Sequence, residues 1–92
     1  MKNENILKFE SSDFYLSAFL VTRGLKLMDV DKINPQRALF VFEDKEDRQS
    51  LVEDFLFGRV QIEPKSFISA IKELKQLLYS SEINVPKSEV QN

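Results

Sequence analysis

The sequence predicts a small α+β domain in which three helices pack against a β-hairpin. Three observations support this fold class: an alternating segment at residues 37–43, a helical period that begins at Pro64, and glycines that close two earlier apolar segments. The predicted order is helix, strand, strand, helix, an optional short strand, and helix. A chain of 92 residues forms one domain and buries roughly 60 to 65% of its unfolded surface.

The hairpin is predicted over residues 25–43, with its turn at residues 33–36, where Pro35 presets a turn dihedral. Side chains alternate along a strand, so Phe40 and Phe42 share one face. We expect Met28 and Val30 to lie opposite these phenylalanines, because a slip by one residue would place aspartates among them. The other face, called the outer face below, then carries the apolar residues Leu25, Leu27, Leu39 and Val41.

Local signals bracket the three helices. The first is predicted over residues 13–23, with Ser11 or Ser12 as its N-cap and Gly24 as its end. Asp44 is the predicted cap of the second, and Gly58 closes it. Residues 60–63 alternate and could form the short third strand, after which a helix over residues 64–79 has the clearest apolar stripe.

Domain limits and core follow from this arrangement. Residues 1–10 form a partly ordered lead-in, residues 11–79 the domain, and residues 80–92 a flexible tail. The predicted core consists of Phe14, Phe19, Met28, Val30, Phe40, Phe42, Leu51, Phe55, Phe67, Ile71 and Leu74.

Composition excludes several classes of chemistry. The chain has no cysteine and no histidine, so it cannot form a disulfide framework, a thiolate zinc site or a histidine-activated nucleophile. No glycine-rich phosphate loop, signal peptide or membrane span is evident. We therefore expect a cytoplasmic protein that is not an enzyme and has no cofactor, membrane contact or small-molecule substrate.

The segments that carry the fold also resemble a known family. They are DFYLSAFL at residues 13–20, GLKL at 24–27, FVFED at 40–44, VEDF at 52–55 and IKELK at 71–75. Together they resemble a family of small microbial domains of unknown function, seen on mobile elements and in uncultured lineages. The resemblance covers roughly residues 9–79 and supplies no catalytic residues. The resemblance implies a self-contained domain and mildly favours a role associated with mobile elements or nucleic acids.

Two alternative sites remain possible from the residues. Asp29 and Glu43, followed by Asp44 and Lys45, would suit a magnesium-dependent nuclease, although acids are common at the start of a helix. The basic residues around the hairpin could contact nucleic-acid phosphates, against the overall net charge of -2. These basic residues are Arg23, Lys26, Lys32, Arg37 and Arg59.

The outer face is the preferred candidate site. If all three helices pack on the phenylalanine face, its four apolar residues are exposed and need a partner. A protein partner or a second copy could cover them face to face, or pair along the edge of the hairpin. The other possibility is that one helix covers the face within the monomer. The sequence thus predicts a module for protein interaction or self-association.

Overall fold

The computed structural model describes residues 7–34 and 37–83, and for residues 33–34 and 80–83 it describes the backbone alone. It confirms a small α+β domain with the predicted order of hairpin and helices. Within these ranges the elements are β1 (Lys8–Ser11), α1 (Phe14–Thr22), β2 (Leu27–Asn34), β3 (Arg37–Glu43), α2 (Arg48–Leu56) and α3 (Pro64–Ile83).

The three strands of the described chain form one antiparallel sheet in the order β1-β3-β2, with β3 in the centre. The third strand comes from the predicted lead-in, where Phe9 lies opposite Phe42. Residues 60–63 form no strand, and Val60 and Ile62 instead pack against the core as irregular chain. The predicted turn at Pro35 falls outside the described residues.

The predicted register is half right. Val30 lies opposite Phe40, but Leu27 rather than Met28 lies opposite Phe42. The cause is an irregularity between Leu27 and Asp29, where β2 carries one more residue than β3 and the alternation of its side chains shifts. Met28 is consequently 39% exposed at the edge of the sheet, and its predicted place in the core is wrong.

The core lies between the sheet and the helices. Helix α1 is buried from Leu16 through Leu20, because it contacts the other two helices as well as β1. Phe19 of α1 stacks on Phe55 of α2 with ring centroids 5.3 Å apart. Phe14 and Phe40 pack in a T-shaped arrangement with ring centroids 6.0 Å apart. Phe19, Phe40, Phe42 and Leu74 are fully buried or nearly so, as predicted. The remaining predicted core residues, Phe14, Val30, Leu51, Phe55, Phe67 and Ile71, are partly buried against this cluster.

The helix ends differ in detail from the prediction. Asp13 is the N-cap of α1, because its carboxylate accepts the Leu16 N–H at 3.0 Å, while Ser11 accepts the N–H of Asp13 itself. Helix α2 begins four residues after Asp44 and ends before Gly58, which has a φ of +72° as a helix stop requires.

Helix α3 extends beyond its predicted end. It starts at Pro64, where Glu63 accepts the Ser66 N–H at 2.8 Å and so satisfies one free donor of the first turn. The backbone stays helical to Ile83, so α3 extends into residues 80–83, the first part of the predicted tail. Residues 84–92 of that tail lie outside the described residues.

Candidate protein-interaction surface

The structure divides the predicted outer-face patch into two pairs. Leu39 and Val41 lie on the side of β3 that faces away from Phe40 and Phe42, and neither packs in the cluster that contains those phenylalanines. Leu25 is only 4% exposed and is part of the core. Leu27, opposite Phe42, packs against the same core, so both were wrongly placed on the outer face.

The end of α1 explains the position of Leu25. Gly24 has a φ of +88°, its N–H donates to Val21 O at 3.0 Å, and the Leu25 N–H donates to Leu20 O at 3.1 Å. These two bonds are the Schellman motif, in which the residue after the glycine commonly makes an apolar contact back to the helix. A leucine directly after a helix-closing glycine is therefore the sequence signal that Leu25 is buried.

Leu39 and Val41 are framed by charged residues on both neighbouring strands. Val41 lies between Glu10 of β1 and Asp29 of β2, and Leu39 lies beside Asp31. Sequence reasoning missed Glu10 because β1 was not recognised as a strand. The outer face as the structure defines it consists of Lys8, Glu10, Asp29, Asp31, Arg37, Leu39, Val41 and Glu43.

No helix of the described chain covers this outer face through its apolar residues. The buried and partly buried apolar residues of α1, α2 and α3 all pack in the cluster that contains Phe40 and Phe42. Val41 is nonetheless only 8% exposed, as befits the middle of a central strand, and Leu39 is half-buried. Strands about 4.8 Å apart that rise about 3.4 Å per residue make the face about 24 Å long on β3. The face is about 14 Å wide where β1 pairs with residues 40–43 and about 10 Å wide beyond that segment.

The free edge of β2 is poorly suited to pairing with another strand. Two irregularities interrupt its register, one after Leu27 and one after Lys32. The Asp29 carboxylate accepts the Val30 N–H at 2.8 Å and so occupies a backbone donor of this strand. Bulges and charged residues are the usual means by which natural sheets block edge pairing. These features of the β2 edge make the outer face the better candidate for the contact surface.

The basic residues of the nucleic-acid alternative are only partly brought together. Arg23 and Arg59 line one pocket of about 360 Å³ between α1, α2 and the segment before α3. The Arg23 guanidinium donates to Gln61 O at 2.6 Å, and the Arg59 guanidinium pairs with Asp54 at 3.1 Å. Both cations thus have protein partners.

The other basic residues of that alternative lie around the sheet. Lys26 precedes β2, and its carbonyl accepts the Glu43 N–H at 2.9 Å. Arg37 begins β3 at the other end of that strand, and Lys32 lies opposite Ala38. The five residues therefore do not form one continuous basic surface.

The two carboxylates of the metal alternative lie on the same face of the sheet, on neighbouring strands. Asp29 lies opposite Val41, whereas Glu43 lies opposite Lys8 on the far strand. In residues 7–34 and 37–83 there is no group of three acidic side chains arranged to hold a metal ion.

Asp44 has a structural partner. The Arg48 guanidinium donates to both of its carboxylate oxygens, at 3.0 and 3.2 Å, and these hydrogen bonds hold the pKa of Asp44 below its ordinary value. The same guanidinium lies 4.3 Å from the centroid of the Phe9 ring. Asp44 and Arg48 thus join the start of α2 to β1, a role in packing that the sequence alone did not indicate.

Other apolar side chains are exposed on the helical side. Leu56 and Phe57 protrude at the end of α2, and Arg59 lies 5.2 Å from the Phe57 ring centroid. Met28 and Leu77 border a groove of about 280 Å³ between the edge of β2 and α3. These residues were not predicted as site residues, and their exposure depends on how the helices end and pack.

These features define a class of protein, a small α+β domain in which the apolar residues of the described helices pack on one face of a three-stranded sheet. The chain belongs to the family described as Domain of unknown function (DUF5659), whose model matches residues 7–80. That match confirms the expected membership of a family of small domains of unknown function. No curated protein and no solved structure was found to match the chain. Among the described helices, none has the length and apolar character needed to cross a membrane.

Proposed function

We propose that this domain is a non-catalytic protein-binding module whose contact surface is the outer face of its sheet. The observation that carries the proposal is the position of Leu39 and Val41. They lie in the middle of a sheet face that the apolar sides of the helices leave uncovered. An apolar centre framed by charged residues is the common arrangement of a protein-contact surface.

The size of the face indicates the strength of binding. Its dimensions correspond to about 300 Å² on this partner, less than half of the roughly 800 Å² per partner of a standard stable interface. Val41 is already largely buried, so Leu39 offers most of the apolar area that a partner can remove from water. We therefore expect reversible binding, in the micromolar range that is typical of small interfaces.

The test is capture of partners by a tagged protein and by two matched variants. Leu39→Asp places a charge in the centre of the outer face, and Ile68→Asp places the same charge at a half-exposed position on α3. Each protein is used to capture partners from nuclease-treated lysate of its native cells, and bound proteins are quantified by mass spectrometry. Circular dichroism and urea unfolding first establish that both variants fold.

We expect a partner that is retained by the natural protein and by Ile68→Asp but lost with Leu39→Asp. If Leu39→Asp retains every partner that the natural protein binds, the outer face is not the contact surface. If both variants lose the partner equally, the loss reflects a general effect of added charge, and the proposal also fails.

Contact with nucleic-acid phosphates is a second candidate function. It is supported by one observation, that Arg23 and Arg59 line the same pocket. Such binding would weaken steeply with salt and would depend on both arginines. Filter binding to single- and double-stranded nucleic acid at 50 and 200 mM salt, with Arg23→Gln and Arg59→Gln, tests it. Equal, weak retention of all three proteins at 50 mM salt would eliminate this candidate.

A further inference from the structure

The charges of the outer face indicate what kind of partner it binds. This inference rests on the proposed function and adds the chemistry of the partner. Acidic side chains stand on both sides of the apolar centre, Glu10 on β1 and Asp29 with Asp31 on β2. The cations Lys8 and Arg37 are confined to the two ends of the face. An apolar strip therefore runs along β3, with an acidic border of Asp29 and Asp31 on its β2 side and a shorter acidic border, Glu10 beside Val41, on its β1 side.

A second copy of the chain does not fit this arrangement. In a two-fold pair each surface meets itself, so the acidic borders near the centre would oppose their equivalents. Like charges placed directly opposite each other are destabilising. The area of the face is also well below that of a stable dimer interface. A strand added at the edge is opposed by the irregularities of β2 and by the hydrogen bond from Val30 to Asp29.

A helix fits the dimensions of the face. An α-helix with its side chains is about 10 to 12 Å across, against a face about 14 Å wide beside β1 and about 10 Å wide beyond it. A length of about 24 Å accommodates about 16 helical residues at 1.5 Å per residue. Laid along β3, such a helix would place its apolar stripe on Leu39 and Val41. Basic residues on both sides of that stripe would meet Glu10 on one border and the two aspartates of β2 on the other.

We propose that the outer face binds a cationic amphipathic helix of a partner protein, with lysine or arginine on both sides of its apolar stripe. The apolar strip provides the contact that helix-in-groove recognition requires, and the acidic borders select the charge and speed the encounter.

The test uses three synthetic 16-residue amphipathic peptides with leucine at helical spacing. Their polar positions are lysine in the first, glutamate in the second and glutamine in the third. Each is titrated into the 15N-labelled full chain, and amide shifts give both the affinity and the binding position. We expect the lysine peptide to shift the signals of residues 39–41, with an affinity that falls as salt is raised.

Two double variants distinguish the contribution of the acidic borders to binding from a general electrostatic attraction between the peptide and the domain. Glu10→Gln with Asp31→Asn removes one acid from each border, and Glu46→Gln with Glu73→Gln removes the same charge from two exposed positions, one in the turn before α2 and one on α3. We expect the first pair to weaken binding of the lysine peptide by about tenfold, as two lost charge contacts would, and the second pair by less than twofold.

Each other outcome overturns the inference in a recognisable way. Equal weakening by both pairs would show diffuse attraction without a defined face. If the glutamate or glutamine peptide binds at residues 39–41 as strongly as the lysine peptide, the partner is not selected by positive charge, while the proposed function stands. If no peptide shifts residues 39–41, the helical partner is refuted. The separate capture experiment with Leu39→Asp then decides whether the proposed function falls with it.

Discussion

Two leucines assigned to one surface by the sequence lie on opposite sides of the sheet, and truncating each of them tests that assignment. Leu25 is 4% exposed in the core, whereas Leu39 is half-buried on the outer face. We expect Leu25→Ala to destabilise the domain substantially more than Leu39→Ala. The two variants remove the same atoms, so the difference reports on the environment of each side chain.

The expected magnitudes follow from burial. Leu→Ala at a fully buried site costs about 3 to 5 kcal/mol, which combines lost transfer free energy with the cavity left behind. At Leu39 the lost area is smaller and no closed cavity forms, so the cost is about 1 kcal/mol. A domain of this length has a total stability of about 5 to 14 kcal/mol. Leu25→Ala should therefore lower Tm by about 15 to 25 °C, and Leu39→Ala by about 5 °C.

Urea unfolding followed by circular dichroism measures both variants against the natural protein. We expect the midpoint of unfolding to change and the slope of the unfolding free energy against urea concentration to stay the same. An unchanged slope indicates that unfolding exposes the same surface area in each protein. Measurements at two protein concentrations detect any contribution of self-association. If Leu39→Ala costs as much as Leu25→Ala at both concentrations, the outer face is covered within the monomer, and the reasoning is refuted.

Three further predictions concern single side chains. Asp13→Ala should lower the free energy of unfolding by about 1 kcal/mol in urea titrations, because it removes the cap on the Leu16 N–H; an unchanged midpoint would contradict the cap. The Ser17 hydroxyl is buried without a hydrogen-bond partner among the described residues. Ser17→Ala should therefore raise the free energy of unfolding by about 1 kcal/mol, measured as a rise in Tm, and a fall in Tm would contradict the absence of a partner. The hydrogen bonds from Arg48 lower the pKa of Asp44 in the folded protein below its unfolded-state value of 3.8. The Asp44 carboxylate therefore stabilises the fold at pH values above 3.8, and this stabilisation is lost as the pH falls through the folded-state pKa. In thermal melts from pH 6 to pH 2, the advantage of the natural protein over Asp44→Asn should shrink at the acidic end; a constant difference would refute the ion pair.

The sequence predicted those parts of the fold that local chemistry determines. Gly24 and Gly58 both have the positive φ expected of helix-closing glycines, and Pro64 begins α3. The alternation of residues 37–43 placed Phe40 and Phe42 together in the core. Each of these signals acts within one element or at its end, where steric limits on the backbone decide the outcome.

The missed features depend on contacts between elements. β1 has only four residues and one large apolar side chain, Phe9, so its identity as a strand comes from pairing with β3. The extra residue in β2 moves Met28 out of the core, and no local pattern requires it. Of the four apolar residues that the sequence assigned to the outer face, only Leu39 and Val41 lie there.

The strand order of the sheet also has a consequence for how the domain folds. β2 and β3 adjoin in the chain, whereas β1 must reach β3 across the whole of α1 and β2. Closing the longer loop costs more entropy, so we expect the hairpin to form first and β1 to dock late. Until it docks, one edge of the central strand, with its two phenylalanines, is free to pair with another chain. The short strand at residues 8–11 thus closes the edge that is most exposed to aggregation during folding.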